Sequence, residues 1–275
     1  QNRGKSEMNM LVCIKQVPDT TEIKINPETN TLIRDGVPSI VNPFDAYALE
    51  CAAKVKDANP GSRIVVCTMG PEQAKAALKE CLSVGGDAAY LISGREFGGS
   101  DTLATGYALY KAMFKIEELE GIKFDVIFCG KQAIDGDTAQ VGPQMAENLD
   151  YPQVTYAFEA WAQDNGTLKV KKEVEDGFEM LELPLPCVVT VTKPNYEPRY
   201  ATIKSKMAAN KYQIPVLSAQ DFELDLSQVG LKNSPTRVKK TFTPPRKSGG
   251  IVIKEETNEE SAKKLFELLR DKNII

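Results

Sequence analysis

The sequence contains no histidine. That removes the commonest general base, metal ligand and member of a catalytic triad, so group-transfer or redox chemistry here calls for a bound cofactor. None of the six cysteines (Cys13, Cys51, Cys67, Cys81, Cys129, Cys187) forms a CxxC pair. Zinc and iron-sulfur ligation are disfavoured by that spacing, and buried reduced thiols of a cytoplasmic protein are expected. Basic excess is lacking too: the net charge is -4, which leaves no electrostatic footprint for nucleic acid. No uncharged apolar run is long enough to span a bilayer, the best being the short stretch around Cys187 to Thr192. Residues 1–7 lack the apolar segment of a secretory signal and read as an extension preceding a start at Met8 or Met10.

With 275 residues, 42% of them apolar, the chain can bury a substantial core. Met10 to Val17 reads as a first buried strand ended by Pro18. Ile23 to Ile25 and Thr31 to Ile33 flank a turn at Asn26 to Asn30 and predict a small hairpin. Asn42 followed by Pro43 marks a helix start that should run to Asn59-Pro60-Gly61. Arg63 to Thr68, Ala88 to Ile92 and Phe124 to Cys129 are further strands, separated by helices over 71–83 and from Asp101 onward. This alternation predicts an α/β fold with a doubly wound, mostly parallel sheet and ligands at the carboxyl ends of its strands.

Beyond Val154 the period changes. Alternating polar and apolar residues around Asn165-Gly166 and Asp176-Gly177 predict antiparallel hairpins, and Cys187 to Thr192 returns to a buried strand, giving a mixed sheet. A C-terminal arm follows Ser234-Pro235 and Pro244-Pro245, with an amphipathic helix over Asn258 to Lys272. The expected organisation is thus an extension at 1–7, a nucleotide-binding domain at 8–235 and a linker and helix at 236–275.

The junction after the fourth strand carries the functional signal. Gly130 to Gly142, GKQAIDGDTAQVG, is a glycine-bearing loop leading toward a helix with Pro143 in its first turn. Such a loop can turn its amides toward phosphate oxygens, with Asp135 and Asp137 as acceptors for ribose hydroxyls or as caps and Thr138 as a donor. It matches neither the Walker loop nor the dinucleotide GxGxxG spacing, and a turn without a ligand is the competing reading. Glu197 to Lys211 is basic, with Ile203 flanked by polar residues. It reads either as a solvated connection or as a docking element for an acidic partner.

LVCIKQVPD, NPFDAYALE, GKQAIDGDTAQVGP and VKKEVEDGFEMLELPLPCVVT together resemble the beta subunit of electron-transfer flavoproteins, over essentially all of Met10 to Ile275. The resemblance implies a fold of the adenine-nucleotide alpha-hydrolase type. It implies pairing with an FAD-bearing alpha subunit, against which the C-terminal helix would pack, and a site holding AMP in ordinary members or a second FAD in electron-bifurcating ones. Ligand contacts implied on matching positions are Cys13, Asn42, Pro43, Phe44, Asp45, Met69 and the run Gln132, Ala133, Ile134, Asp135, Gly136, Asp137, Thr138, Ala139, Gln140, Val141 and Gly142.

FGGSDTLAT, Phe97 to Thr105, and the small residues of DGDTAQVGP resemble the bifurcating subgroup, which places Asp101, Thr102 and Thr105 near flavin and nicotinamide. NADH would then be the electron donor, with ferredoxin or flavodoxin and an acyl-CoA dehydrogenase or enoyl-CoA reductase as acceptors. EPRYATIKSKM resembles the family's recognition loop, implying docking by Arg199, Tyr200, Ile203, Lys204 and Met207. No side chain needs a catalytic role of its own. An ordinary AMP-binding carrier and a non-catalytic adenine-nucleotide module remain alternative readings.

Overall fold

The computed structural model describes residues 7–19, 38–239 and 249–275. The hairpin expected over 23–33, the Pro244-Pro245 linker and residues 1–6 of the expected extension lie outside them. The chain divides into two compact units, residues 1–239 and 240–275.

In the first unit a nine-stranded sheet is built from β1 (Asn9–Cys13), β4 (Arg63–Met69), β5 (Ala88–Ile92), β6 (Val126–Gly130), β7 (Gln153–Ala162), β8 (Thr167–Val174), β9 (Gly177–Pro184), β10 (Cys187–Val191) and β11 (Val216–Leu217). Their order is β11-β5-β4-β1-β6-β10-β7-β8-β9. Pairing is parallel from β11 through to β7. It turns antiparallel at β8 and β9, as the alternating pattern beyond Val154 predicts. A second, two-stranded antiparallel sheet joins β2 (Gln16–Pro18) to β3 (Ser39–Val41).

The central strands are apolar on both faces because both are covered. Along β1, Met10 and Val12 face α1 (Pro43–Ala58) and α2 (Lys75–Val84), whereas Leu11 and Cys13 belong to the core beneath α3 (Thr102–Glu120) and α4 (Val141–Leu149). The same division holds for Ile64 against Val65 and for Phe128 against Ile127. After β1 the chain moves outward to β4 and β5, then returns to the other side of β1 as β6. The strand order therefore reverses between β1 and β6, where an open α/β sheet forms a crevice at its carboxyl edge.

Three expectations need correction. The run Met10 to Val17 is not one strand, since β1 stops at Cys13 and β2 joins another sheet. The Lys15 N–H donates to the Asp45 carboxylate at 2.6 Å and its carbonyl accepts from Asn42, so this residue leaves the ladder. The helix expected over 71–83 opens as a 3-10 turn at Glu72–Ala74 before α2. Asn42 occupies the N-cap position of α1, yet its side chain caps nothing there.

The second unit contains α6 (Asn258–Asp271), started by a capping box between Thr257 and Glu260 and supported by a Lys264–Glu255 ion pair at 2.6 Å. Among the described residues no helix is long and apolar enough to cross a membrane.

Candidate functional site

A cleft of about 620 Å³ opens at the reversal point, at the carboxyl ends of β1, β4 and β6. One wall is the 130–142 loop, another the segment from Ser93 to Thr105, and Cys13, Met69 and Cys129 lie on the floor. Its position follows from two anchors buried under the loop. The Asn42 side chain donates to the Gln132 carbonyl at 2.8 Å and accepts the Ile134 N–H at 3.0 Å. Asp45 accepts the amides of Lys15 at 2.6 Å and Gly130 at 3.1 Å, tying the end of β1 to the end of β6. Burial pushes the Asp45 carboxyl up to about 7, against the opposing pull of those amide hydrogen bonds and of Asn42.

Gly130 is required by this arrangement: a Cβ there would lie 2.7 Å from the Asp45 backbone nitrogen. Gly142 is required as well, because a Cβ would stand 2.5 Å from Thr190 Cγ2, so it lets α4 pack on β10. Gly136 is different, with nothing within 4 Å and no positive φ.

The far half of the loop presents donors. The amides of Thr138, Ala139, Gln140, Val141 and Gly142 have no protein acceptor among the described residues, and they lead into the N-terminus of α4. Asp137 and Ala139 both have φ of 54°, a left-handed conformation that costs a residue such as alanine about 1 kcal/mol. Alternating chain direction with successive free amides forms a concavity for an anion, reinforced by the helix end. Thr102 Oγ1 donates to Gln140 Oε1 at 2.9 Å, joining this wall to α3.

The cleft gathers Cys13, Asp45, Met69, Asp101, Thr102, Thr105, Gln132, Ala133, Gly136, Thr138, Ala139, Gln140, Val141 and Gly142 on one surface. Asn42, Pro43, Phe44, Ile134, Asp135 and Asp137 do not line it. Asn42 acts from beneath, Asp135 pairs with Lys15 at 2.7 Å, and Asp137 is hydrogen-bonded to Gln132. Asp101 lines the cleft, but its carboxylate is already engaged by the Ala104 N–H, where it caps α3, and by the Thr236 amide and hydroxyl. Although burial opposes ionisation, these hydrogen bonds hold its pKa below the ordinary aspartate value.

Lys15, Ser100 and Lys131 line the cleft within segments the sequence places there, whereas Ser39, Gln73 and Ser93 on its wall lie outside them.

The six cysteines are free and buried. Cys67, Cys13 and Cys129 stand in register across β4, β1 and β6, with 3.6 Å between the first two sulfurs. Burial raises the Cys51 and Cys187 thiols to about 12. The neighbouring thiols and burial also push Cys13 and Cys129 well up, so these two thiols of the floor are neutral. Among the described residues no group of three or more cysteines and carboxylates is arranged to hold a metal ion.

The segment around Arg199 lies apart from the cleft. Arg199 is bound to the α1 carboxylate of Glu50 through Nε at 2.8 Å and to Asp57 at 2.8 Å, which leaves its guanidinium committed within the chain. Tyr200 is 95% and Ile203 83% exposed, and Lys204 and Met207 are exposed beside them. Ile203 begins α5 (Ile203–Lys211), fixed by a capping box between Thr202 and Ser205.

Residues 29–222 match the family model described as electron transfer flavoprotein domain. The electron transfer flavoprotein subunit beta of Megasphaera elsdenii is 51% identical over 256 residues, 93% of this chain and 94% of that one. The caffeyl-CoA reductase-Etf complex subunit CarD of Acetobacterium woodii is 47% identical over 98% of this chain and its own full length. The acryloyl-CoA reductase electron transfer subunit gamma of Anaerotignum propionicum is 42% identical over the same shares.

Proposed function

As the chain belongs to the electron-transfer flavoprotein family, as one of its beta-type subunits, we propose that it binds FAD in the cleft and works as the NADH-oxidising part of an electron-bifurcating heterodimer. The observation that carries this reading is the reach of the cleft. It runs from the free amides of residues 138–142 across Cys13 and Met69 to the wall at Gly98 to Thr105, within about 620 Å³. A mononucleotide would fill only part of that volume, whereas a flavin dinucleotide would occupy more of it.

The residues fit such a group. The loop offers donors without partners, the open space at Gly136 admits close approach, and the sulfur floor offers a polarizable surface to an aromatic ring. When bound, the flavin would supply hydride acceptance from NADH and the division of two electrons between ferredoxin or flavodoxin and the alpha-subunit FAD. The chain's own residues bind and orient: the amides take the phosphates, Asn42 and Asp45 hold the loop, and Thr105 borders the approach from the far wall. The names of the relatives from Acetobacterium woodii and Anaerotignum propionicum, each a subunit tied to a CoA-ester reductase, support an acyl-CoA dehydrogenase or enoyl-CoA reductase as final acceptor. Ile203 is the proposed anchor for that partner, and the C-terminal unit the proposed contact with the alpha subunit. A cytoplasmic setting agrees with the free cysteines.

Flavin equivalents per heterodimer, with AMP assayed in the same anaerobic extract, test the reading. Two FAD are expected. One FAD with one AMP would return the chain to the ordinary carrier class, and no adenine nucleotide at all would remove the cleft assignment.

A further inference from the structure

Among the described residues the cations lining the cleft are Lys15 and Lys131, and the carboxylates Asp45 and Asp101 are both committed to hydrogen bonds within the chain. Lys131 has its ammonium 4.9 Å from the centre of the Tyr156 ring and 5.9 Å from that of Phe44, a position that holds it against aromatic faces. Lys15 is held differently. Its backbone is fixed on both sides, by the Asp45 carboxylate and by the Asn42 amide, while half of its side chain is exposed. Its Nζ reaches 2.7 Å from Asp135 Oδ1, in the same loop whose amides from Thr138 to Gly142 lack protein acceptors.

Resting on the nucleotide reading above, the geometry points to Lys15 as the residue that selects a phosphorylated ligand, with Asp135 holding its ammonium in readiness at the loop. An ammonium carries three donors, and Asp135 takes one. A phosphate dianion seated on the free amides would draw Lys15 into a second, charge-assisted contact and compete with Asp135 for it. The discrimination falls between nucleotides and their dephosphorylated nucleosides. It also reverses the sign expected at Asp135: a ribose acceptor there would strengthen binding, whereas a holding partner weakens it.

Calorimetric titration of the nucleotide-stripped heterodimer with AMP and with adenosine tests this. Lys15→Gln should lower AMP affinity by roughly tenfold or more, as expected for a lost charge-assisted hydrogen bond, and leave adenosine affinity within about twofold. Lys15→Arg should keep AMP affinity within roughly threefold, which separates charge from any disturbance of the fold. Lys131→Gln should cost less than Lys15→Gln, and Asp135→Asn should leave AMP binding equal or tighter. Equal losses for AMP and adenosine in Lys15→Gln, or weakened AMP binding in Asp135→Asn, would overturn the assignment while the nucleotide site stands. A wild-type heterodimer that binds neither AMP, FAD nor adenosine would overturn both.

Discussion

Asp45 sits in the first turn of α1 and joins two strand ends through amide hydrogen bonds, yet its carboxyl is buried and raised from 3.8 to about 7. Since the folded value lies above the unfolded one, the folded state binds the extra proton between those two pH values. Stability from this group is therefore greatest below about pH 4 and falls as pH rises through 7, by at most about 4 kcal/mol. Asp45→Asn removes the slope but turns an amide NH2 toward one of the two donors, costing about 1–3 kcal/mol. Denaturant unfolding at pH 5 and pH 8 should show the stability advantage of wild type over Asp45→Asn shrinking as pH rises; a constant or growing advantage would refute the burial account. The glycines of the loop divide in the same residue-level way. Gly130→Ala should destabilise by about 1–3 kcal/mol, because the N-terminus of α1 leaves no room for a Cβ. Gly136→Ala meets open space and should leave the melting temperature unchanged while weakening nucleotide binding by hindering the close approach of a ligand to this part of the loop.

At the scale of elements, much of the frame was legible because the governing signals are local. Asp101 caps α3, the turns at Asn165-Gly166 and Asp176-Gly177 close the β7–β8 and β8–β9 hairpins, and Ala88 to Ile92 is a strand over those bounds. What escaped depends on contacts distant in sequence. Nothing near Lys15 states that Asp45, thirty residues on, will draw it out of the β1 ladder. The Thr236 contact to Asp101 spans 135 positions. Gly142 likewise reads as a ligand-facing glycine in sequence, while in the fold it also admits Thr190, so a large residue there disturbs the packing of α4 on β10 as well as the loop. The docking segment divides along the same line. Ile203→Glu should leave stability within about 0.5 kcal/mol and nucleotide content unchanged, because the side chain is 83% exposed, yet abolish electron delivery to the proposed acyl-CoA dehydrogenase partner. Arg199→Ala should cost about 1.5–3 kcal/mol of stability, because it removes the guanidinium from the nearly buried Glu50 and leaves it only the backbone N–H of residue 199. Reduction of the dehydrogenase by Ile203→Glu at the wild-type rate would remove this surface from the docking assignment.

For the whole molecule, the parallel sheet with its reversal between β1 and β6 determines where a ligand goes, and the loops determine which ligand. Donors for phosphate come from the 138–142 loop and another wall from 93–105, the two meeting where Thr102 Oγ1 donates to Gln140 Oε1. A substitution in the second wall is therefore read on flavin content as well as on NADH oxidation. Thr105 belongs to the far wall, is partly exposed, and takes no part in the anchors at Asn42 and Asp45. Thr105→Trp places bulk where the proposed nicotinamide approach lies and leaves the Asn42 and Asp45 anchors untouched. NADH oxidation by the anaerobic heterodimer should therefore fall by at least about tenfold, a barrier increase of roughly 1.4 kcal/mol, while FAD content stays near the wild-type value. On the proposed bifurcating reading, coupled reduction of ferredoxin and enoyl-CoA should fall in the same proportion, since both would draw on hydride entering at this site. Loss of flavin and of NADH oxidation together would mean that this wall supports cofactor binding rather than donor access. A wild-type heterodimer that NADH cannot reduce would remove bifurcation from the assignment and leave an electron carrier with the same fold and the same loop.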